Sequence, residues 1–237
     1  MVHIFTDTWS YTLSKTLPKV STSSIKYING FFYFGSLNDI YKTTTSFVLA
    51  ATYTKSNYGF YSIFWDSKNS LIYASANKVY PPQVLVFNSA LTLMSFIPYS
   101  KATTRYPYGV SYYGGIVWIG QWNTNLMGQV QSCNITQSTL TGCYSLTLSS
   151  TECSASTIAG ITFDSHGYML VTCSNTNTVA VYNTINSYYN PTIGNSFGYM
   201  NSMKKITTHN NGKIAASYAD SKGRLVVFST YSIDILF

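Results

Sequence analysis

Few side chains in this sequence belong to the types that carry out covalent or metal chemistry. Only 7 of its 237 residues are acidic, and they are scattered singly along the chain. Hard divalent cations need several oxygen ligands, with carboxylates prominent among them. Asp39, Glu152 and Asp220 are the acids expected on connections that could face one rim. Three scattered acids do not predict a metal site, and we predict neither a metal nor another cofactor.

The remaining polar groups do not form a catalytic pattern either. Asp66 and Asp164 each follow an apolar run and precede a turn. An aspartate in that position typically accepts hydrogen bonds from the backbone N–H groups of the turn. There is no Gly-x-Ser-x-Gly elbow and no Ser, His and Asp grouping that would indicate a nucleophile. The sequence therefore predicts no catalytic residue, and it favours a protein that is not an enzyme without deciding the matter.

The cysteines favour structural roles. They fall close together in the sequence, at Cys133, Cys143, Cys153 and Cys173. None forms a Cys-x-x-Cys pair, so zinc is not indicated. Two local disulfides fit this spacing, and Cys133 with Cys143 is the favoured pair because it would close a short hairpin.

Asn134 begins an Asn-Ile-Thr sequon and is a candidate for glycosylation. The sequon and the cysteines favour an extracellular, oxidising compartment. The first residues, Met1–Asp7, lack the basic and long apolar regions of a signal peptide. The compartment therefore stays open at this point.

The sequence is rich in aromatic residues, which often form binding surfaces. Tyr occurs 22 times. Tyr, Trp and Arg dominate binding hot spots, and aromatic rings also stack on sugars and bases. We expect a candidate ligand-binding face whose longest loops carry Lys78, Tyr80, Arg105, Tyr106, Tyr108, Trp122 and Asn123.

These loops would be positioned by a repeating pattern of strands. A short apolar alternation ending in an aromatic residue recurs, most clearly at Val84–Phe87, Val179–Tyr182 and Leu225–Phe228. Successive copies lie roughly 46 residues apart, which is typical of propeller repeats. Upstream of most copies, two strands flank a tight turn such as Asn29-Gly30 or Gly114-Gly115. A looser fourth strand follows each copy.

Each unit therefore consists of four antiparallel strands, and stacking such blades around an axis buries both of their apolar faces. The sequence predicts an all-β fold, a single β-propeller domain over residues 1–237, with five full blades plus an N-terminal half blade. Either the ring is six-bladed and incomplete, or the half blade augments a five-bladed ring. The predicted units are 1–20, 21–58, 59–104, 105–156, 157–201 and 202–237, and the last ends in a strand at Tyr231–Phe237.

Charge and hydropathy limit the partners. The net charge is +7, but charged residues make up only 9% of the chain, and the basic residues are dispersed apart from Lys204-Lys205. A basic surface leaves RNA open as a partner. No apolar run is long enough to span a membrane. The half blade would leave an unpaired strand edge, which predicts self-association through that incomplete blade.

One unit resembles an NHL-type repeat. The resemblance is carried by Gly160-Ile161, Phe163-Asp164, Gly167, Val171-Thr172, Asn177 and Val179–Tyr182. The unit that contains Cys133 and Cys143 is similar to repeats of the wider lactonase-like propeller group. The resemblance implies a propeller whose relatives include protein-binding modules, RNA-binding modules and metal-dependent lactonases, so it implies no single chemistry.

The combined observations favour a non-enzymatic binding module. It would use the loops of one propeller face to bind a protein or a glycan. RNA binding by an NHL-type propeller and metal-dependent, lactonase-like hydrolysis are the alternatives.

Overall fold

A computed structural model shows a chain built from antiparallel sheets that follow one another in sequence. The structure describes residues 2–5, 11–15, 24–79, 83–98, 105–123, 129–136, 139–148, 157–164, 167–174, 178–183, 188–193, 203–208, 213–218 and 225–229. For β1, β2, β18 to β21 and several strand ends it describes the backbone alone.

The described residues form strands with the following bounds: β1 (Val2–Phe5), β2 (Tyr11–Lys15), β3 (Ser24–Ile28), β4 (Phe31–Gly35), β5 (Asp39–Thr44), β6 (Leu49–Thr54), β7 (Phe60–Asp66), β8 (Leu71–Ala76), β9 (Gln83–Phe87), β10 (Leu93–Pro98), β11 (Arg105–Tyr113), β12 (Ile116–Asn123), β13 (Gln129–Thr136), β14 (Thr139–Thr147), β15 (Ile158–Phe163), β16 (Tyr168–Cys173), β17 (Thr178–Asn183), β18 (Tyr188–Ile193), β19 (Met203–Thr208), β20 (Lys213–Tyr218) and β21 (Leu225–Ser229).

The strands assemble into blades of four, as the sequence predicts. Four complete blades are described: blade I (β3–β6), blade II (β7–β10), blade III (β11–β14) and blade IV (β15–β18), each with its strands hydrogen-bonded in chain order. A two-stranded sheet, β1–β2, precedes them, and a three-stranded sheet, β19–β21, follows. No helix within the described segments is long and apolar enough to cross a bilayer.

The described residues complete four blades, and not the five full blades plus a half that the sequence predicts. The unit after blade IV contributes three strands, and the fourth strand predicted at Tyr231–Phe237 lies outside the described residues. The repeating apolar signature occurs in the third strand of a unit. The number of signatures therefore gives the number of units, but not the number of strands that each unit contains.

Local sequence explains the tight hairpins. At the first turn of blade I, Asn29 and Gly30 both have positive φ, 48° and 82°, which is the backbone that a two-residue hairpin turn requires. The turn of blade II is longer, and the carboxylate of Asp66 accepts hydrogen bonds from the backbone N–H groups of Lys68 and Asn69 at 3.0 and 3.2 Å. Both turns join the first and second strands of their blades, as predicted.

The inner strands β3, β7, β11, β15 and β19 lie next to one another in that order. Because side chains alternate along a strand, neighbouring residues face different blades. Ile63 of β7 belongs to the core between blades I and II, whereas Phe64 belongs to the core between blades II and III. In β12, Val117 faces blade II and Trp118 packs in the core with blade IV.

Hydrogen bonds join the inner strands as well. The Ser62 hydroxyl of β7 donates to the Val110 carbonyl of β11 and accepts from the Val110 N–H, at 3.2 and 3.1 Å. On the other side, the Ile63 N–H donates to the Ser24 hydroxyl at 3.1 Å. These bonds satisfy buried polar groups near the centre of the fold and fix the register between neighbouring blades.

Two glycines allow neighbouring blades to approach closely. Gly35 ends β4 where β7 begins, and a Cβ built there would lie 2.6 Å from the Phe60 carbonyl oxygen. Gly120, near the end of β12, occupies the corresponding place beside β15, where a Cβ would lie 2.8 Å from the Ile158 carbonyl oxygen. Backbone atoms cannot move aside as a flexible side chain can, so a larger residue would push the blades apart.

We therefore predict that Gly35→Ala destabilises the protein by about 1–3 kcal/mol, the usual cost of overpacking a core. Urea unfolding followed by tryptophan fluorescence measures the change. Ser67→Ala, at an exposed position of the β7–β8 turn, is the control and should unfold like the wild type. Equal stability of Gly35→Ala and wild type would show that the blades can separate at this contact without loss.

Candidate functional site

The candidate site lies on the face where the β4–β5, β6–β7 and β8–β9 connections emerge. The connection Lys55–Gly59 crosses from blade I to blade II and lies between the other two. On the blade I side, the Lys55 N–H donates to the Asn38 carbonyl at 2.8 Å and the Gly59 N–H donates to the Leu37 carbonyl at 2.7 Å. On the blade II side, the Lys78 N–H donates to the Tyr58 carbonyl at 3.0 Å. The three connections therefore form one hydrogen-bonded surface, here called the loop platform.

Backbone geometry at the centre of the loop platform admits little variation. Gly59 has a φ of +65°, and a Cβ there would lie 2.5 Å from Oδ1 of Asn77. The Asn77 N–H donates to the Gly59 carbonyl at 3.2 Å. Asn77 is buried, and its side-chain oxygen accepts no hydrogen bond in the described part of the chain. An unpaired buried acceptor is costly. Among the described residues of the platform, this oxygen is the buried side-chain atom that lacks a hydrogen-bond donor.

The side chains on the loop platform are mixed apolar, aromatic and cationic. Leu37 is 43% exposed, and Lys55 and Lys78 are exposed. The Lys55 ammonium lies 5.5 Å from the centre of the half-buried Tyr58 ring, within the range of a cation–π interaction. Asn38 accepts a hydrogen bond from the Asn57 N–H at 2.9 Å through its side-chain oxygen.

Five of the seven predicted ligand-binding residues lie on strands and not on loops. Lys78 lies on the loop platform, as predicted, and Tyr80 falls outside the described residues. The other five were expected on loops, but they lie on strands: Arg105, Tyr106 and Tyr108 on β11, and Trp122 and Asn123 on β12. The strands extend further than predicted because Pro107 and Gly109, which indicate a loop, are accommodated within β11.

Strand pairing brings four of these residues together in backbone register. Arg105 is opposite Asn123, and Tyr106 is opposite Trp122. Tyr108 is half-buried, and its ring centre lies 5.1 Å from that of Tyr61 at the start of β7. The predicted aromatic group therefore lies at one end of the β11–β12 hairpin, the end at which the β12–β13 connection emerges.

The sequence prediction missed Leu37, Lys55 and Tyr58. Their two connections are identifiable from the sequence. Because these connections are short, the prediction placed the binding face on the longer loops of the next two units instead. The signal that could have identified them is the Tyr58-Gly59 pair, since a glycine next to an aromatic residue in a short connection indicates close packing of the backbone.

The described carboxylates are all used in local structure. Asp66 is fully buried; in addition to the turn N–H groups, it accepts a hydrogen bond from the Asn69 amide at 2.6 Å and one from the Tyr112 hydroxyl, which raises the pKa of Tyr112 after the larger effect of burial. Asp164 accepts from the Tyr168 N–H at 2.8 Å. These bonds confirm the turn role predicted for both residues.

Asp39 binds two hydroxyl groups, Tyr41 at 2.9 Å and Thr54 at 2.7 Å. Among the residues that the structure describes, no three His, Cys, Asp or Glu side chains are grouped as a metal site would require. The acids Asp7, Glu152, Asp220 and Asp234 lie outside those residues.

The cysteines form the predicted local disulfide. Cys133 of β13 and Cys143 of β14 are bonded, with their Cα atoms 4.2 Å apart. Cys173 is also disulfide-bonded; Cys153, the one further cysteine of the sequence, lies outside the described residues. Asn134, next to the first disulfide, has an exposed side chain, so the sequon is accessible on the surface of blade III, and its glycosylation stays a prediction.

Comparison with known proteins identifies the fold of this chain but no family to which it belongs. No protein-family model matches the sequence, and no curated protein matches it. The fold and the loop platform define the chain as a β-propeller.

Solved structures share that architecture at low sequence identity. A streptogramin B lyase matches with a TM-score of 0.62 and 14% identity, over 91% of this chain and 70% of that chain. Virginiamycin B lyase from Staphylococcus aureus matches with a TM-score of 0.54 and 11% identity, over 87% and 69%. A chain of a nidogen/laminin complex matches with a TM-score of 0.66 and 12% identity, over 94% and 84%. These similarities confirm a β-propeller and carry no statement about activity.

The buried phenol of Tyr73 predicts a pH dependence of stability. Burial raises the pKa of Tyr73 to about 12, and the nearby Asp66 and Tyr112 add to the shift. Since the folded-state pKa of Tyr73 lies above the usual 10.0, the folded protein favours the neutral phenol. The stability that this shift contributes is intact below pH 10 and is lost as the pH rises towards 12. Between pH 9 and 11.5 we expect Tyr73 to cost the wild type roughly 2 kcal/mol of unfolding free energy.

Urea unfolding at the two pH values tests this in Tyr73→Phe, which keeps the ring stacked on Phe64, whose centre lies 4.5 Å away. The stability of the variant should fall less than that of the wild type. Tyr144→Phe, which removes a hydroxyl from a ring that is 74% exposed, should follow the wild type. Parallel losses in all three proteins would contradict the assignment.

Proposed function

We propose that this β-propeller is a non-catalytic module that binds a protein partner through the loop platform and the adjoining end of the β11–β12 hairpin. The observation that carries the proposal is the interlocking of the Lys55–Gly59 connection with both neighbouring blades. A surface whose backbone is already fixed loses little conformational entropy on binding, and preorganisation of this kind increases affinity.

The exposed side chains suit a protein partner. Leu37 offers apolar surface, Tyr58 offers an aromatic ring, and Lys55 and Lys78 offer charge at the margin. This combination matches an interface with an apolar centre and a polar rim. Tyr106 and Trp122 stand opposite each other in the register of β11 and β12, and we include them in the proposal because hot spots are enriched in such residues.

The engaged carboxylates also support binding over catalysis. The carboxylates of Asp39, Asp66 and Asp164 accept hydrogen bonds from turn backbone N–H groups or from neighbouring hydroxyl groups. A carboxylate held in this way is poorly placed to coordinate a cation or transfer a proton in an open site. The lactonase-like alternative would therefore depend on other residues.

The similar solved structures include both classes of function. One comes from a nidogen/laminin complex, an assembly of proteins, and another is a streptogramin B lyase. The NHL-type pattern of Gly160–Tyr182 adds protein-binding and RNA-binding propellers to the comparison. Protein binding is the function that agrees with the mixed apolar and charged surface of the loop platform and with the hydrogen-bonded carboxylates.

Selection from a phage-displayed library of random peptides tests the proposal with a defined probe. Peptides selected on the wild type should lose binding to a Leu37→Ala/Tyr58→Ala variant and to a Tyr106→Ala/Trp122→Ala variant, roughly tenfold or more for a hot-spot pair. Both variants should keep a Tm near that of the wild type. Lys68→Ala, on the opposite end of blade II, is the matched control and should bind like the wild type.

Failure to enrich any peptide, or equal binding by all variants, would contradict the proposal. Glycan arrays and short RNAs on the same variants test the alternatives. RNA binding through phosphate contacts should weaken steeply as salt increases, whereas binding of a neutral glycan should not.

A further inference from the structure

Two lysines flank the aromatic centre of the loop platform. The Lys55 ammonium lies 5.5 Å from the centre of the Tyr58 ring, within the range of a cation–π interaction. Lys78 belongs to the blade II side of the platform, and its N–H donates to the Tyr58 carbonyl at 3.0 Å. Both lysine side chains are exposed, so the platform presents two positive charges next to one aromatic residue.

The stem of Lys78 packs against the connection between blades I and II. Its Cγ atom and Cε2 of the Tyr61 ring lie 2.8 and 3.0 Å from the position that a Cβ of Gly59 would take. The glycine therefore makes room for the lysine stem. A lysine that lies along its neighbours keeps its methylene groups in contact with them and its ammonium group in water. Such a side chain has less conformational entropy to lose when a partner binds.

The described carboxylates are bonded to groups other than the two platform lysines. Asp39, beside the platform at the start of β5, accepts one hydrogen bond on each carboxylate oxygen, from the Tyr41 and Thr54 hydroxyl groups. Asp66 and Asp164 accept hydrogen bonds from the backbone of their turns. Within the described part of the chain, the charges of the two lysines are therefore left for a carboxylate that a partner brings.

The charge of the whole chain favours the same kind of partner. Its 14 lysine and arginine residues outnumber its 7 aspartate and glutamate residues, which gives a net charge of +7. A positive field of this kind attracts acidic molecules and repels basic ones at a distance. Complementary charge across an interface also selects the correct partner during encounter.

We propose that the loop platform recognises an acidic segment of a protein, in which aspartate or glutamate residues flank one apolar side chain. The carboxylates pair with Lys55 and Lys78, and the apolar side chain packs on Leu37 and Tyr58. Leu37 is 43% exposed and supplies the aliphatic part of that contact. This inference rests on the proposed function, because it names the chemistry of the partner at the same site.

An acidic peptide fits these residues better than RNA does. Binding of nucleic acid through phosphates relies on many lysine and arginine contacts. The described residues of the platform offer two lysines, in a chain of which 9% of the residues are charged. Leu37 has neither a charge for a phosphate nor a ring on which a base could stack. RNA is therefore the alternative that the experiment must exclude.

Peptides selected on the wild type from the phage-displayed random library provide the test. The selected sequences should be enriched in Asp and Glu next to an apolar residue, relative to the unselected library. Fluorescence anisotropy then compares a synthetic copy of the strongest binder with a copy in which Asn and Gln replace every Asp and Glu. The amide copy should bind roughly tenfold or more weakly, because it cannot form the charge pairs.

Substitution of the lysines tests the same pairs from the other side. Lys55→Gln and Lys78→Gln should each weaken binding of the acidic peptide roughly threefold, and the double variant roughly tenfold, at about 50 mM salt. Because salt screens charge pairs, the double variant and the wild type should differ by about twofold or less at about 1 M salt. A variant that has lost its fold would not recover in this way.

Lys68→Gln is the matched control, since it removes the same charge from an exposed position of the β7–β8 turn. It should bind both peptides like the wild type, and all variants should keep a Tm near that of the wild type. None of the lysine substitutions should change binding of the amide copy.

The outcomes separate this inference from the proposed function. Selected peptides that lack acidic residues, or that bind equally well as amide copies, would overturn the acidic chemistry. The proposed function would still stand if the Leu37→Ala/Tyr58→Ala variant loses those peptides. Failure to enrich any peptide would contradict both. A short RNA that binds more tightly than the acidic peptide, and loses affinity in the double lysine variant, would overturn the choice of a protein partner.

Discussion

The structure depends on one constraint, which is that every blade has two apolar faces and each must be covered. A four-stranded sheet cannot bury both faces by itself, so neighbouring blades share them. The shared cores place Ile63 against blade I and Phe64 against blade III from adjacent positions of one strand. The Ser62 bonds to Val110 and the close approach at Gly35 then fix how far apart the blades lie. Everything on the surface is positioned by that spacing.

The loop platform is a consequence of the same packing. The Lys55–Gly59 connection must cross from the outer strand of blade I to the inner strand of blade II, and the short distance between blades brings it against both neighbouring connections. Its backbone groups find partners there, so the surface is rigid although it is formed by loops. Tyr112 and Tyr113 show the same principle inside the fold: Tyr112 bonds to Asp66 of blade II, and Tyr113 stacks on Phe163 of blade IV at 4.6 Å.

Features specified by nearby residues are predictable from the sequence. The Asn29-Gly30 turn, the turn aspartates and the Cys133–Cys143 bridge are confirmed because each depends on a few consecutive residues or one short hairpin. The described residues complete four blades where five and a half are predicted; outer strands carry a weak apolar pattern, which does not show whether a unit is complete. Arg105–Tyr113 is a strand despite Pro107 and Gly109, since packing outweighs local propensity. Gly109 in fact lies against the backbone of Gly160, where a Cβ would be 3.1 Å from its Cα.

The sequence by itself determined the repeating unit, the strand and turn pattern within it and the residue types available for binding. Alternation and turn residues encode these features locally, and hairpins join residues that are close in the chain. Only the tertiary structure decided which side chains meet across blades and which of the described acids are engaged. Those contacts join residues as far apart as Ser62 and Val110, 48 positions along the chain, and no local pattern records how two distant surfaces fit together.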